Sequence, residues 1–276
     1  MHSPQPPIGL IAGNGSFPLE FARAVRASGR PLVVVAHESE TDKKIAAIAS
    51  HVTWVKLGQL GRIIDVLKTQ GVSEAVMLGG ITKSSFFAGA RPDLLGLKLL
   101  ATVAVRSDDN LLRTIAGSFE AEGIRIVPST PFLRGLTAPA GVLGRHQPTD
   151  ENLSDVRYGF ELAKNLGRFD VGQTVVVKER VPLALEAIEG TDACIKRGAT
   201  LGKTDAVVVK VVKPDQDHRF DLPAAGPRTI EVCREHKVRV LAVEAGGTIL
   251  TDRERMIQLA DKAGIVFMGV SAESRS

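Results

Sequence analysis

Along the first half of the chain, short apolar runs alternate with longer segments whose apolar positions recur every three or four residues. Ile8 to Ala12 is wholly apolar and ends in Gly13-Asn14-Gly15. A helical pattern follows through Phe17, Leu19, Phe21, Ala24 and Val25; Gly29 stops it and Pro31 prevents its continuation. Leu32 to Ala36, His51 to Val55, Glu74 to Leu78 and Ile124 to Val127 read as further buried strands. Helices are expected at Thr41 to Ser50, Gly58 to Gln70 and Asp108 to Glu122. Strands alternating with helices of this length predict a parallel sheet with right-handed crossovers.

Pro128, Pro131, Pro139 and Pro148, with Gly135, Gly141 and Gly144 between them, mark a linker. The expected division is a Rossmann-like domain over 1–134 and a mixed α/β domain over 135–276. In the second half, helices are expected at Glu151 to Leu166, near Pro182 to Glu189, at Thr229 to His236 and at Asp252 to Lys262. Strands are expected at Thr174 to Val177, Ala206 to Val212, Val238 to Val243 and Ile265 to Met268. The fold class is α/β.

Composition sharpens this picture. The 276 residues are 44% hydrophobic but only 4% aromatic, which suits strands covered on both faces. One Trp and one Tyr give no stacking platform, and no basic tract is present, so nucleic acid is not an expected partner. The net charge of +4 suits ordinary solubility, anionic ligands or an acidic membrane surface. Cys194 and Cys233 have no metal-ligand spacing and form no disulfide framework, which predicts a reducing, cytoplasmic setting. No leader pattern and no window long enough to span a bilayer is apparent, so membrane contact is expected to be peripheral.

Three places carry candidate chemistry. Gly13-Asn14-Gly15 lies between a strand and a helix, where glycine lets a phosphate approach unpaired N–H groups. The third glycine of the dinucleotide fingerprint is replaced by Pro18, so a phosphate cradle and a plain tight turn both remain open. Gly79-Gly80 ends the fourth strand, with Lys83 close behind; Asp108 sits in a cluster that opens a helix. The third place is Lys213 to Pro223, where Asp215, Gln216, Asp217, His218, Arg219 and Asp221 crowd between two prolines. Carboxylates there could hold a hard cation at a phosphate, lysine and arginine could neutralise its oxygens, and a carboxylate could orient water. Glu186 to Asp192, with Glu189 and Asp192 as possible ligands or orienters, and Glu244 to Thr248 could complete such a site.

In series, these segments resemble the LpxI-type UDP-2,3-diacylglucosamine pyrophosphatases of lipid A biosynthesis. The resemblance rests on Ile8 to Pro18, Gly79-Gly80 with Lys83, Ser107 to Arg113 and Asp170 to Gln173. It also rests on Glu186 to Asp192, Lys213 to Pro223 and Glu244 to Thr248, and it runs along nearly the whole chain. It implies metal-dependent hydrolysis at the α-phosphorus, giving UMP and 2,3-diacylglucosamine 1-phosphate, with the lipid bound between two domains. The family's essential aspartate matches Asp221. Chemistry adds Asp217 as a second ligand of Mg²⁺ or Mn²⁺, and Lys213 and Arg219 as phosphate contacts. Gly13, Asn14, Gly15, Gly79, Gly80, Lys83, Asp108, Gln216 and Thr191 are the expected substrate contacts. The expected partners are the acylated UDP-glucosamine, the inner membrane as a peripheral contact and a second copy of the chain. The alternatives are an NAD-dependent oxidoreductase, with Glu38 placed as a ribose-binding acid, and a non-catalytic uridine-nucleotide or lipid binder.

Overall fold

The computed structural model describes residues 5–81, 91–97, 108–169, 171–214, 219 and 223–271, with the backbone alone for 108–111. They form two units divided between Arg134 and Gly135; Arg219 groups with the first.

In the first unit, β1 (Ile8–Ala12), β2 (Leu32–His37), β3 (His51–Val55), β4 (Glu74–Leu78) and β5 (Arg125–Ile126) form one sheet in the order β3-β2-β1-β4-β5. Every pairing is parallel. β1 is central and fully buried, as its unbroken apolar run requires. Helices α1 (Phe17–Ser28), α2 (Leu60–Thr69) and α3 (Asp108–Ala121) make the crossovers. α1 begins with Pro18 in its first turn and ends on Gly29 at φ 76°, in the left-handed region. α2 buries Ile63, Ile64 and Leu67 against Val33, Val35 and Val72. The helix expected over Thr41 to Ser50 is reduced to one 3₁₀ turn, Lys43–Ala47, capped by Asp42. Its only fully buried anchor is Ile45, too little apolar surface to hold a longer helix.

In the second unit, six strands run β6 (Gly141–Val142), β13 (Val266–Val270), β11 (Val240–Glu244), β9 (Val207–Lys210), β7 (Thr174–Lys178), β8 (Val181–Leu185). β13, β11 and β9 are parallel; β6, β7 and β8 pair antiparallel. β10 (Ala224–Ala225) and β12 (Ile249–Leu250) form a separate small ladder. α4 (Asp150–Arg168) covers one face, packing Val156, Phe160 and Ala163 on Val207 and Val209. α5 (Thr191–Gly202), α6 (Pro227–Glu235) and α7 (Arg253–Ala263) supply the other, with Ile195, Ile230 and Met256 against Val176, Val208 and Leu241. Strand residues therefore serve both faces alternately, each buried aliphatic side chain contributing about 1.5–3 kcal/mol.

The segment expected to be helical near Pro182 to Glu189 is instead the edge strand β8, and the helix lies later, in α5. Glu179 and Arg180 adopt φ values of 53° and 58°, which turn the chain back into a hairpin. Their N–H groups donate to the two carboxylate oxygens of buried Asp155 on α4, at 2.9 and 2.6 Å. β8 pairs with β7 across a register irregularity at Val176/Val177.

Candidate functional site

In the first unit, the carboxyl ends of β1 and β4 lie side by side. Gly13 N–H donates to the Leu78 carbonyl at 2.8 Å and Asn14 N–H to that of Gly80 at 2.9 Å. A Cβ on Gly13 would sit 2.4 Å from the Gly80 carbonyl oxygen, and one on Gly79, at φ 90°, 2.3 Å from that of Asn14. Gly13 and Gly79 are therefore needed for the apposition of two backbones. Gly15, at φ 89°, has nothing within 4 Å of its Cβ position and faces open space where α1 begins. Asn14 Nδ2 donates to Glu40 at 2.7 Å.

Behind this loop, the Ala12 carbonyl accepts from Thr41 Oγ1 at 2.6 Å and from His37 Nδ1 at 2.9 Å. Nδ1 carries the proton, since a carbonyl only accepts. Burial pushes the His37 imidazole below its usual pKa, with the bond to Ala12 acting the other way.

In the second unit, parallel strands β9 and β11 end together, and antiparallel β7 begins beside them. At this rim Lys210, only 6% exposed, donates from Nζ to Thr191 Oγ1 at 3.0 Å. Thr191 Oγ1 donates to Glu186 Oε1 at 2.9 Å, and Glu186 is 7% exposed. Thr174 Oγ1 lies 3.4 Å from the same hydroxyl. Gln173 Oε1 is buried there without a hydrogen-bond partner among the described residues, as is Thr248 Oγ1 beyond β11. A buried ammonium, a hydroxyl and a carboxylate thus share one array, in which each charge offsets the other's desolvation.

A second pair lies on the same rim. Lys164 Nζ meets both oxygens of Glu244, at 2.8 and 2.9 Å. Glu189 and Asp192 turn away from this role. Arg197 holds the exposed Glu189 carboxyl below its usual range, and Asp192 faces Arg228 at 3.7 Å.

Of the expected site residues, Gly13, Asn14, Gly79 and Gly80 come together, with Gly15 beside them, and Thr191 sits in the Lys210 array. Lys213 lies three residues beyond the end of β9. Arg219 groups with the first unit, its guanidinium 3.2 Å from Glu120. Asp217, Asp221, Gln216 and Lys83 lie outside the described residues, as does the side chain of Asp108. Among the described residues no group of three or more His, Cys, Asp or Glu could hold a metal ion. Glu186 and Glu244 are committed to hydroxyl, amide and ammonium donors.

Lys210 was not singled out from sequence as a site residue. Its signal was a lone cation inside an otherwise apolar strand, a place that lysine occupies only when paired. Lys164, inside an amphipathic helix, carried no such signal.

The LpxI N-terminal domain family matches residues 7–136 and the LpxI C-terminal domain family matches 139–268. The UDP-2,3-diacylglucosamine pyrophosphatase LpxI of Caulobacter vibrioides is 34% identical over 279 residues, covering 97% of this chain and 99% of that one. Among solved structures, the biotin carboxylase subunit of a pyruvate carboxylase overlaps 61% of the chain at 18% identity, with a TM-score of 0.29. A biotin carboxylase from Campylobacter jejuni overlaps 70% at 12% identity and 0.26. The chain spans 34% and 41% of those two proteins.

Proposed function

Because this chain belongs to the LpxI family, matching it in both its N- and C-terminal domains, we propose that it hydrolyses the pyrophosphate of UDP-2,3-diacylglucosamine in lipid A synthesis. Water attacks the α-phosphorus and the bond to the bridging oxygen breaks. UMP carries the new oxygen, 2,3-diacylglucosamine 1-phosphate leaves with the bridging one, and the water's proton is released. The match along the whole chain carries this proposal. The buried Lys210 ammonium supports it, because a fixed cation beside a phosphate stabilises charge that grows on non-bridging oxygens.

Asp221 orients or deprotonates the water, Lys213 and Arg219 contact phosphoryl oxygens, and Gln216 and Thr191 contact the sugar phosphate. In the first domain, the turns at Gly13 to Gly15 and Gly79-Gly80, with Lys83 and Asp108, hold the nucleotide. A divalent cation, Mg²⁺ or Mn²⁺, held by Asp217 and Asp221, would polarise the phosphoryl group when bound. Exposed Phe169, Val171 and Ile188 support a peripheral membrane contact; no helix among the described residues is long and apolar enough to cross a membrane. The nicotinamide alternative needs a third glycine in the turn after β1, where this chain has Pro18.

UMP release from UDP-2,3-diacylglucosamine with Mg²⁺ or Mn²⁺ tests the reaction, and ¹⁸O-labelled water should place its label in UMP. Label in the sugar phosphate overturns attack at the α-phosphorus. An Asp221→Ala variant should fold and lose at least about a hundredfold in turnover; near-normal turnover would remove Asp221 from its role.

A further inference from the structure

The β9–β11 ladder stops at Lys210 opposite Val243, yet the chain beyond it is still held as though the ladder went on. Val211 N–H donates to the Gln173 carbonyl at 2.9 Å. At Val212 the partners are side chains. Its N–H donates to Glu244 Oε2 at 2.7 Å, and its carbonyl accepts from Lys164 Nζ at 2.8 Å. Lys164 and Glu244 also bind each other, at 2.8 and 2.9 Å, so the two side chains and one peptide unit close a ring. The pair is partly buried, with side-chain exposures of 28% and 18%. Lys164 is backed by the Phe160 ring, 5.8 Å from its centroid. At the far end of the following stretch, Ile249 N–H holds the Pro223 carbonyl at 2.8 Å.

Val212 immediately precedes Lys213 to Pro223, the stretch that carries Asp217, Arg219 and Asp221 in sequence. A charge-assisted ring at such a root has a clear use. It fixes the direction in which the chain leaves the sheet without a neighbouring strand to do so. A plain surface ion pair would not need to capture both the N–H and the C=O of one residue.

We infer that Lys164 and Glu244 are positioning residues, a side-chain clamp that fixes the root of the Lys213–Pro223 stretch and thereby sets the turnover of the proposed hydrolysis. The inference rests on that proposed reaction. The clamp touches Val212 rather than substrate, so its loss should lower kcat and leave KM in place.

The test uses the full chain with two readouts: amide exchange at Val212 by NMR, and kcat and KM for UMP release from UDP-2,3-diacylglucosamine. Glu244→Ala and Lys164→Met should speed Val212 exchange by about tenfold or more relative to its neighbours in β9. The same variants should lower kcat about tenfold with KM within about twofold. Glu244→Gln keeps an oxygen for the Val212 N–H and should recover most of both. Unchanged Val212 exchange in Glu244→Ala overturns the clamp. Faster exchange with unchanged kcat, or a rise in KM alone, overturns its positioning role. Absence of UMP release from the unsubstituted protein would instead remove the hydrolase proposal, while exchange at Val212 would still decide whether the clamp exists.

Discussion

Replacing Thr191 by valine removes one oxygen and almost no volume, from a place where that oxygen serves two charged groups. Thr191 Oγ1 donates to Glu186 at 2.9 Å and accepts from Lys210 at 3.0 Å, and both partners are less than a tenth exposed. Each hydrogen bond to a charged group contributes about 1.5–3 kcal/mol, and buried partners cannot turn to water when it is lost. Glu186 keeps a weak contact with Gln173 N–H at 3.4 Å, so the lower end of the range applies to each bond. Two bonds give about 3 kcal/mol, less about 0.5–1 kcal/mol for the added methyl. The net loss is about 2–2.5 kcal/mol. Urea unfolding at pH 7, followed by far-UV circular dichroism, should show the midpoint lowered with the slope retained. Thr191→Ser keeps the hydroxyl and should recover more than half of the loss. If Thr191→Val lies within about 0.5 kcal/mol of the parent protein, or Ser is no better than Val, the array is not held together through this oxygen.

The buried, pKa-lowered His37 predicts acid sensitivity. Above its ordinary value of 6.5 both states are neutral and stability is complete; as pH falls toward the lower folded value, the unfolded chain takes the proton first and stability is lost. His37→Gln should flatten the unfolding free energy below about pH 6.5, and an unchanged slope would contradict this. Gly79→Ala must place a methyl 2.3 Å from the Asn14 carbonyl at φ 90°, and should cost at least about 2–3 kcal/mol in thermal or urea unfolding. Gly80→Ala meets only the movable Asn14 side chain, at 3.0 Å, and should cost less than about 1 kcal/mol. Burial pushes the Cys194 thiol up to about 12 and raises Cys233 as well, so neither should react with Ellman's reagent until the protein unfolds.

The parallel sheet of the first unit was legible because each of its strands is an apolar run closed by glycine or a polar turn, as at Ile8 to Gly13 and Glu74 to Gly79. Local pattern failed where distant partners decide the outcome. Nothing near Glu179-Arg180 announces a hairpin, since the turn is held by Asp155, more than twenty residues earlier. Without it, Pro182 to Glu189 reads as a helix. α5 was hidden by glycines at 198 and 202 that look like breakers; a Cβ at 198 would lie 2.5 Å from Val176, so the glycine lets helix and sheet approach. The candidate site divides the same way. Thr191 lay in a recognisable motif, whereas Lys164 and Glu244 are joined only by the fold.

The borders of the six-stranded sheet have a consequence for how the protein meets its own kind. One border is β8, where Pro182 offers no N–H and the register slips beside it; the other is β6, only two residues long. Neither is a template on which a foreign strand could zip for any length. Lateral growth into fibres by strand addition is therefore blocked at both rims of this sheet.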